Sequence, residues 1–246
     1  MGTKIQPAAT LPNAGRPRQR LYFCARRRLC FSGLALVHCS LLIVNCLNVP
    51  HLVPLLIRGI NNLSDARYCA GMGADKLTFV LDPALPNHLD AKAVKELAGW
   101  IAGVELIGEF DQLSTPEINA LAAECGLDAV LLRSHRTADE LAEIAPPIYF
   151  ELSAARIAAG LDSLPAAPVG FVLELLDDAP AASATLAALA ALRPLWLGPG
   201  LHPERAHELA TRLPLAGLSF PSGDEVKPGL RDFDQLEAVF EALEVE

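Results

Sequence analysis

The chain has 246 residues, 52% of them hydrophobic, and a formal net charge of −9. This length and apolar content allow one large core, and a single barrel of roughly 200 to 250 residues fits them as well as two domains. The charge is uneven: residues 1–57 contain seven basic and no acidic residues, whereas the remainder contains 13 basic and 29 acidic residues, a net charge of −16. Because an acidic body of this kind repels nucleic acid, we expect no nucleic-acid partner.

The first part of the chain, residues 1–52, is predicted to be an extension that precedes a folded domain of residues 53–246. Three arginines at 26–28 come before the apolar run FSGLALVHCSLLIVNCL, a pattern typical of a secretory signal or a membrane anchor. Polar residues interrupt that run at His38, Asn45 and Asn48, and its length is marginal for a membrane span. We therefore favour a disordered tail, or a start assigned too far upstream, over a working anchor.

Cysteine usage points to a reducing environment. Four of the six cysteines lie before residue 50, which leaves Cys69 and Cys125 for the body. Both fall in helical patterns, and neither has a Cys or His nearby at metal-ligand spacing, so we expect two buried thiols and no metal. We also expect a cytoplasmic protein without a cofactor.

From residue 53 onward, short apolar runs alternate with amphipathic stretches. Continuous apolar runs of this length are typical of parallel strands that are covered on both faces. The strand candidates are residues 53–58, 76–81, 104–110, 128–133, 147–152, 170–176, 194–198 and 216–220.

Helix signals separate these strands. Candidate starts lie at Ser64, Asp90, Thr115 with Pro116, and Pro203, and Gly126 stands at a natural helix stop. Eight strand and helix units in about 190 residues predict a single-domain α/β fold, a small TIM (β/α)8 barrel. The active face of such a barrel is formed by the C-terminal ends of its strands.

Two segments carry a more specific signal, LIRGINNLSDA (56–66) and GLSFPSGDEVKPGLRD (217–232). The second has a Ser-Gly corner and a Pro-Gly turn before a helix, which suits backbone amides that converge on an anion. Together the segments resemble the phosphoribosylanthranilate isomerase family of tryptophan biosynthesis, which has KICGIT and G-(L/V)-D-V-S-S-G-V-E-x-x-P-G-x-K-D at these places. The resemblance extends over the whole body.

The resemblance implies the Amadori isomerisation of N-(5-phosphoribosyl)anthranilate, with a small phosphorylated metabolite as ligand, no cofactor, and a monomeric or homodimeric protein. This reaction needs an acid for the furanose oxygen and a base for the proton beside the imine. In the family the base is the Cys of KICGIT, and Arg58 occupies that position here. A guanidinium keeps its proton, so Arg58 is not competent as the base. It either binds a phosphate or carboxylate at the barrel mouth or pairs with a neighbouring acid.

The acid of the family is an Asp at the end of the sixth strand. Aligning the residues LLD with the family's strand selects Asp177, whereas aligning the strands by length selects Glu174. Three other positions depart from the family: Asn87 replaces an Arg that binds the anthranilate carboxylate, Arg133 follows the fourth strand in place of a His, and Ser219 replaces an Asp in the last strand. These changes predict poor binding of anthranilate.

The phosphate end of the family site is kept better. The resemblance places phosphate binding at Gly200 and Leu201 after the seventh strand and at Ser222 and Gly223 after the eighth. The glycines could equally serve as turn residues. Three functions remain open: an isomerase with weak or lost activity, a diverged paralogue that binds or converts another phosphorylated metabolite, and a barrel without catalysis.

Overall fold

We describe the protein from a computed structural model, which covers residues 51–152, 169–174, 183–198, 200, 202–223, 225–227 and 230–245. Eight parallel strands form a closed barrel in which each strand pairs with its neighbour in the chain and β1 pairs with β8. The strands are β1 Leu55–Arg58, β2 Lys76–Val80, β3 Glu105–Phe110, β4 Ala129–Leu132, β5 Ile148–Leu152, β6 Gly170–Glu174, β7 Leu195–Gly198 and β8 Gly217–Pro221. The predicted TIM barrel is confirmed, and each strand overlaps its predicted range.

Helices follow most of these strands. They are α1 Leu63–Gly71, α2 Ala91–Ala98, α3 Thr115–Cys125, α4 Ala138–Glu143, α5 Ser183–Leu192, α6 Pro203–Arg212 and α7 Asp234–Leu243. After β8 the chain also forms a short antiparallel pair, β9 Glu225–Lys227 and β10 Leu230–Arg231. Among the residues covered, no helix has both the length and the apolar character needed to cross a membrane.

The helix caps confirm most of the sequence signals and correct one of them. Asp90 caps α2 by accepting the backbone N–H of Ala93 at 2.7 Å, and Gly126 ends α3 in the left-handed conformation. The start predicted at Ser64 is wrong, because the extended residue Asn62 caps α1 two positions earlier. The start predicted at Thr115 with Pro116 is confirmed, because α3 begins at Thr115, and Ser114 before it forms a reciprocal capping box with Glu117.

Strand alternation divides the barrel into an outer core and an interior. The outward side chains pack against the helices in one large cluster, in which Cys69 and Cys125 are buried thiols as predicted. The interior has its own apolar layer across the middle of the barrel, formed by Leu56, Ile107, Ala129, Leu131, Val172 and Trp196. Since alternate residues along each strand face inward, the layer above this one is formed at the C-terminal strand ends.

The N-terminal end of the barrel is closed by a buried lysine. Lys76 forms an ion pair with Glu105, and its ammonium lies 5.6 and 5.5 Å from the ring centroids of Tyr149 and Trp196. Burial by itself would lower the pKa of Lys76, but the hydrogen bond and charge of Glu105, together with Tyr149, raise it. This end is therefore a packed structural layer, and the site described next lies at the opposite end.

Candidate ligand site at the barrel mouth

A cavity of about 370 Å³ opens at the C-terminal ends of β1 to β5 and β8. Among the residues that the structure describes, four charged ones line it: Arg58, Glu109, Arg133 and Glu151. The cavity lies at the end of the barrel where TIM-barrel enzymes place their active sites. Its size and mixed lining suit a small polar molecule.

Arg58, the last residue of β1, lies inside this mouth and binds Glu109 through a guanidinium fork. Its Nε donates to Oε1 of Glu109 at 3.0 Å, and its Nη2 donates to Oε2 at 3.0 Å. The side chain of Glu109 is 0% exposed and that of Arg58 is 10% exposed. Two parallel, charge-assisted bonds of this kind fix the orientation of the guanidinium. The structure thus contains an ion pair of Arg58 with a neighbouring acid, and a role of Arg58 in ligand binding stays a prediction.

Glu109 receives further donors on both of its oxygens. The hydroxyl of Thr78 donates to Oε1 at 2.5 Å, and Arg133 donates to Oε2 from Nε at 3.0 Å and from Nη2. Burial alone would raise the pKa of this carboxyl group, but the charges and hydrogen bonds of Arg58 and Arg133, with the Thr78 hydroxyl, lower it to about 2. Glu109 therefore remains ionised and is a poor proton acceptor at neutral pH.

The outer part of the cluster is formed by Arg133 and Glu151. Nη2 of Arg58 donates to Oε2 of Glu151 at 2.9 Å, and Nε of Arg133 lies 3.4 Å from the same oxygen. The side chains of Glu151 and Arg133 are 25% and 32% exposed, so this part faces the cavity and solvent. Two guanidiniums and an acid with a strongly lowered pKa are suited to recognise charge, and they are poorly suited to transfer protons.

The loop after β3 is held in place by a second buried carboxylate, Asp82. Its Oδ2 accepts the backbone N–H groups of residues 111–113 at 2.6 to 3.1 Å, and its Oδ1 accepts that of Ala84 at 2.9 Å. Burial opposes the charge of Asp82, but these four hydrogen bonds lower its pKa. Arg136 adds bonds from Nη2 to the carbonyl oxygens of Asp111 and Leu113. Asp82 and Arg136 thus connect the loops after β2, β3 and β4 at the edge of the cavity beside Arg133.

The other side of the mouth is the junction of β1 and β8. The backbone N–H of Ser222 donates to the carbonyl of Arg58 at 2.9 Å, and its hydroxyl donates to the carbonyl of Gly59 at 3.1 Å. Gly59 and Gly223 have φ angles of 72° and 91°, which favour glycine. A Cβ on Gly223 would lie 2.9 Å from the carbonyl oxygen of Asp232, so no larger residue fits there without a shift. Glycine is therefore required at this corner of the cavity.

The structure brings together five of the predicted site residues, since Arg58, Asn87, Arg133, Ser222 and Gly223 all line the cavity. Asn87 does so with a left-handed backbone, at a φ of 58°. Their roles in binding stay predictions.

The remaining predicted residues lie elsewhere or beyond the residues covered. Ser219 is fully buried within β8, and neither it nor Gly200 is among the described residues that line the cavity. Glu174 is the last residue of β6, where its backbone is in register with Gly198. Asp177 and Leu201 lie outside the described residues. The identity of the sixth-strand acid stays open.

Sequence reasoning missed Thr78, Glu109 and Glu151. A signal was present for both acids: each is the last inward-facing residue of an otherwise largely apolar strand, ELIGEF or IYFEL. An acid at such a position points into the barrel mouth and requires a partner there.

Known proteins resemble this chain along most of its body, although no protein-family model matches it. The N-(5'-phosphoribosyl)anthranilate isomerase of Paracoccus denitrificans is 27% identical over 201 residues, which are 75% of this chain and 94% of that protein. The protein of the same name from Trichormus variabilis is 29% identical over 204 residues, 76% of this chain and 96% of its own. In sequence the chain is thus distantly related to these isomerases.

Solved structures of the same kind share the fold. The phosphoribosylanthranilate isomerase of Thermus thermophilus matches with a TM-score of 0.62 at 22% identity, over 77% of this chain and 98% of that one. Monomers generated from the dimeric isomerase of Thermotoga maritima match with a TM-score of 0.63 at 22% identity, over 77% and 97%. A third structure, with the same values, is a phosphoribosylanthranilate isomerase in complex with reduced 1-(o-carboxyphenylamino)-1-deoxyribulose 5-phosphate.

The buried carboxylate of Glu109 leads to a prediction about stability. Glu109→Gln leaves Arg58 and Arg133 without their buried counter-ion, so we expect the free energy of unfolding at pH 7 to fall by about 3–5 kcal/mol. Urea titration measures this change. The control is Glu124→Gln, because Glu124 is half exposed and lies 3.6 Å from Lys95, where loss of the charge should have little effect.

The wild type and Glu109→Gln also test the lowered pKa of Glu109. The folded-state pKa of Glu109 lies below its ordinary value of 4.5, so its ionisation stabilises the fold at pH values above 4.5. This contribution is lost as the pH falls from 4.5 towards about 2. The stability difference between the wild type and Glu109→Gln should be constant at neutral pH and shrink over that acidic interval. A stability difference that stays constant down to a pH of about 2 would contradict the lowered pKa of Glu109.

Proposed function

We propose that this protein is a phosphoribosylanthranilate isomerase-like barrel that binds a small phosphorylated metabolite at its mouth and has weak or no isomerase activity. The observation that carries the proposal is the state of Arg58, which is buried at the end of β1 and held by Glu109 through a two-bond fork. The distant isomerase relatives and the shared fold support the scaffold and the ligand class.

The argument against turnover rests on proton transfer. The family resemblance puts the general base at position 58, and a positioned general base contributes about 100-fold to 10,000-fold to such a reaction. Arg58 cannot accept a proton. Glu109, the buried carboxylate paired with Arg58, is engaged by both arginines and by Thr78, so it cannot take over the role of base without breaking the cluster.

The argument for a phosphorylated ligand rests on the β1 and β8 side of the cavity. Loops after the last two strands of this barrel commonly bind phosphate through backbone amides. Here Gly59, Ser222 and Gly223 line the cavity, and the two glycines allow the backbone to approach a ligand closely. One related structure holds a ligand that is itself a sugar 5-phosphate.

A second candidate is a paralogue that handles a phosphorylated metabolite other than phosphoribosylanthranilate. Asn87 favours it, because the resemblance assigns that position to the group that binds the anthranilate carboxylate, and an amide has no charge to offer. A barrel without any catalysis is the remaining alternative. In each case we propose a cytoplasmic protein that is monomeric or, like the Thermotoga maritima isomerase, dimeric.

Turnover of N-(5-phosphoribosyl)anthranilate tests the catalytic part of the proposal. We expect kcat/KM to be lower than that of the Paracoccus denitrificans relative, assayed in parallel, by about 100-fold to 10,000-fold or more, the contribution of a lost base. Anthranilate fluorescence follows the reaction. A value within about tenfold of the relative would contradict the proposed role of Arg58.

Thermal shift with glycerol 3-phosphate tests the binding part. A ligand that binds only the folded state raises its stability, by about 2.7 kcal/mol at 100 times Kd, so we expect a rise in melting temperature with glycerol 3-phosphate and none with glycerol. Gly223→Ala should reduce that rise, because the new Cβ meets the carbonyl of Asp232 at 2.9 Å and displaces the loop.

Gly103→Ala is the matched control for the thermal-shift experiment. Gly103 has a φ of 87°, close to the 91° of Gly223, but has no atom within 4 Å of a Cβ and lies before β3, at the other end of the barrel. This variant carries similar backbone strain, yet it should keep the full response to glycerol 3-phosphate. The absence of a shift in the wild type would count against a phosphate site.

A further inference from the structure

The two carboxylates in the mouth differ in how firmly they are held. Glu109 is 0% exposed and accepts hydrogen bonds on both oxygens from Arg58, Arg133 and Thr78. The side chain of Glu151 is 25% exposed, and the contacts described for it converge on a single oxygen, Oε2. Glu109 is therefore a fixed part of the barrel, whereas Glu151 faces the cavity at its accessible edge.

The contacts of Glu151 resemble those that a bound carboxylate would make. Its Oε2 lies 2.9 Å from Nη2 of Arg58 and 3.4 Å from Nε of Arg133, so one acidic oxygen lies between two guanidiniums that line the cavity. Arginine pairs of this kind are suited to planar anions, because each presents several donors in a fixed geometry. Exchanging one carboxylate for another here keeps both arginines paired, so the exchange itself costs little.

We propose that Arg58 and Arg133 form a carboxylate subsite, that Glu151 occupies this subsite in the ligand-free protein, and that the carboxylate of a ligand replaces Glu151 on binding. The inference rests on the proposed function, because a phosphate group at the β8 side of the same cavity anchors the ligand. It deepens that function by giving the place of the second charged group, since a carboxylate of the ligand would bind Arg58 and Arg133 while its phosphate binds at the β8 side.

This subsite differs from the carboxylate clamp that the family resemblance places after β2, at the position of Asn87. Arg58 and Arg133 lie at the ends of β1 and β4, and buried Glu109 fixes both of them. The donor directions are therefore set before a ligand arrives, which reduces the ordering cost of binding. Glu151 competes with the carboxylate of a ligand for these donors, so its charge opposes the binding of that group.

Calorimetric titration of the intact protein with a matched pair of probes tests the inference. The probes are 3-phosphoglycerate, which has both charged groups, and glycerol 3-phosphate, which lacks the carboxylate. Glu151→Gln removes the competing charge, so we expect it to bind 3-phosphoglycerate about tenfold more tightly than the wild type, with affinity for glycerol 3-phosphate within about twofold. Glu124→Gln is the control for a change in net charge away from the mouth.

A second variant and a third probe make the outcomes distinct. Arg133→Gln should abolish the preference for 3-phosphoglycerate over glycerol 3-phosphate, and circular dichroism establishes that each variant is folded. An equal rise in affinity for both probes in Glu151→Gln would indicate a general electrostatic effect of the lost charge and overturn the subsite. No rise in affinity for either probe would overturn it as well.

Glycerate, which has a carboxylate and no phosphate, separates this inference from the proposed function. If glycerol 3-phosphate does not bind but glycerate does, and more tightly to Glu151→Gln, the phosphate site fails and the subsite stands. If glycerol 3-phosphate binds while Glu151→Gln leaves the affinities for 3-phosphoglycerate and glycerate unchanged, the phosphate site stands and the subsite fails. If no probe binds to either protein, the subsite is overturned as well.

Discussion

An ionised carboxylate that is fully removed from water must be paired, and the barrel mouth of this protein is arranged around that requirement. Glu109 meets it with two guanidiniums and a hydroxyl, which come from the end of β1, the middle of β2 and the residue after β4. One side chain of β3 thereby connects four strands of the barrel. Loss of either arginine or of Glu109 would leave a buried charge without its full set of partners, so the cluster is expected to persist as a unit.

This constraint also decides what the site can do. The proposed function places the family's base at the end of the first strand, where this chain has a permanently protonated group with its donors directed at an acid. The barrel has a concave site with a glycine-lined corner, and we propose that its inner surface recognises charge. The fold is shared with solved isomerases at about 22% identity, a level at which the frame is preserved and the chemistry can differ.

Local patterns predicted the frame well. The eight strands could be read from short apolar runs, and the family resemblance placed Arg58, Arg133 and Gly223 at the mouth, where parallel strands bring their C-terminal ends to one face. The first helix start was misplaced at Ser64, since both Asn62 and Ser64 are good caps and only the backbone geometry selects Asn62. Such choices depend on one or two dihedral angles that a residue pattern does not fix.

The cluster itself could not be predicted in the same way. Glu109 bonds to a residue 51 positions before it and to another 24 positions after it, so its partners depend on barrel closure and register. The inward positions of ELIGEF are Glu105, Ile107 and Glu109. Nothing in this short pattern distinguishes Glu109 from an ordinary polar residue in a strand. The burial of Glu109, and hence its lowered pKa, follows only when β1, β3 and β4 are assembled.

A double-mutant cycle on Arg58 and Glu109 tests the central claim most directly. It compares the unfolding free energies of the wild type, Arg58→Met, Glu109→Leu and the double variant, in urea at pH 7. If the pair organises the mouth, the double variant is more stable than the two single losses added together would give, with a coupling of about 2 kcal/mol or more. Strictly additive losses, with a coupling below about 0.5 kcal/mol, would contradict the account.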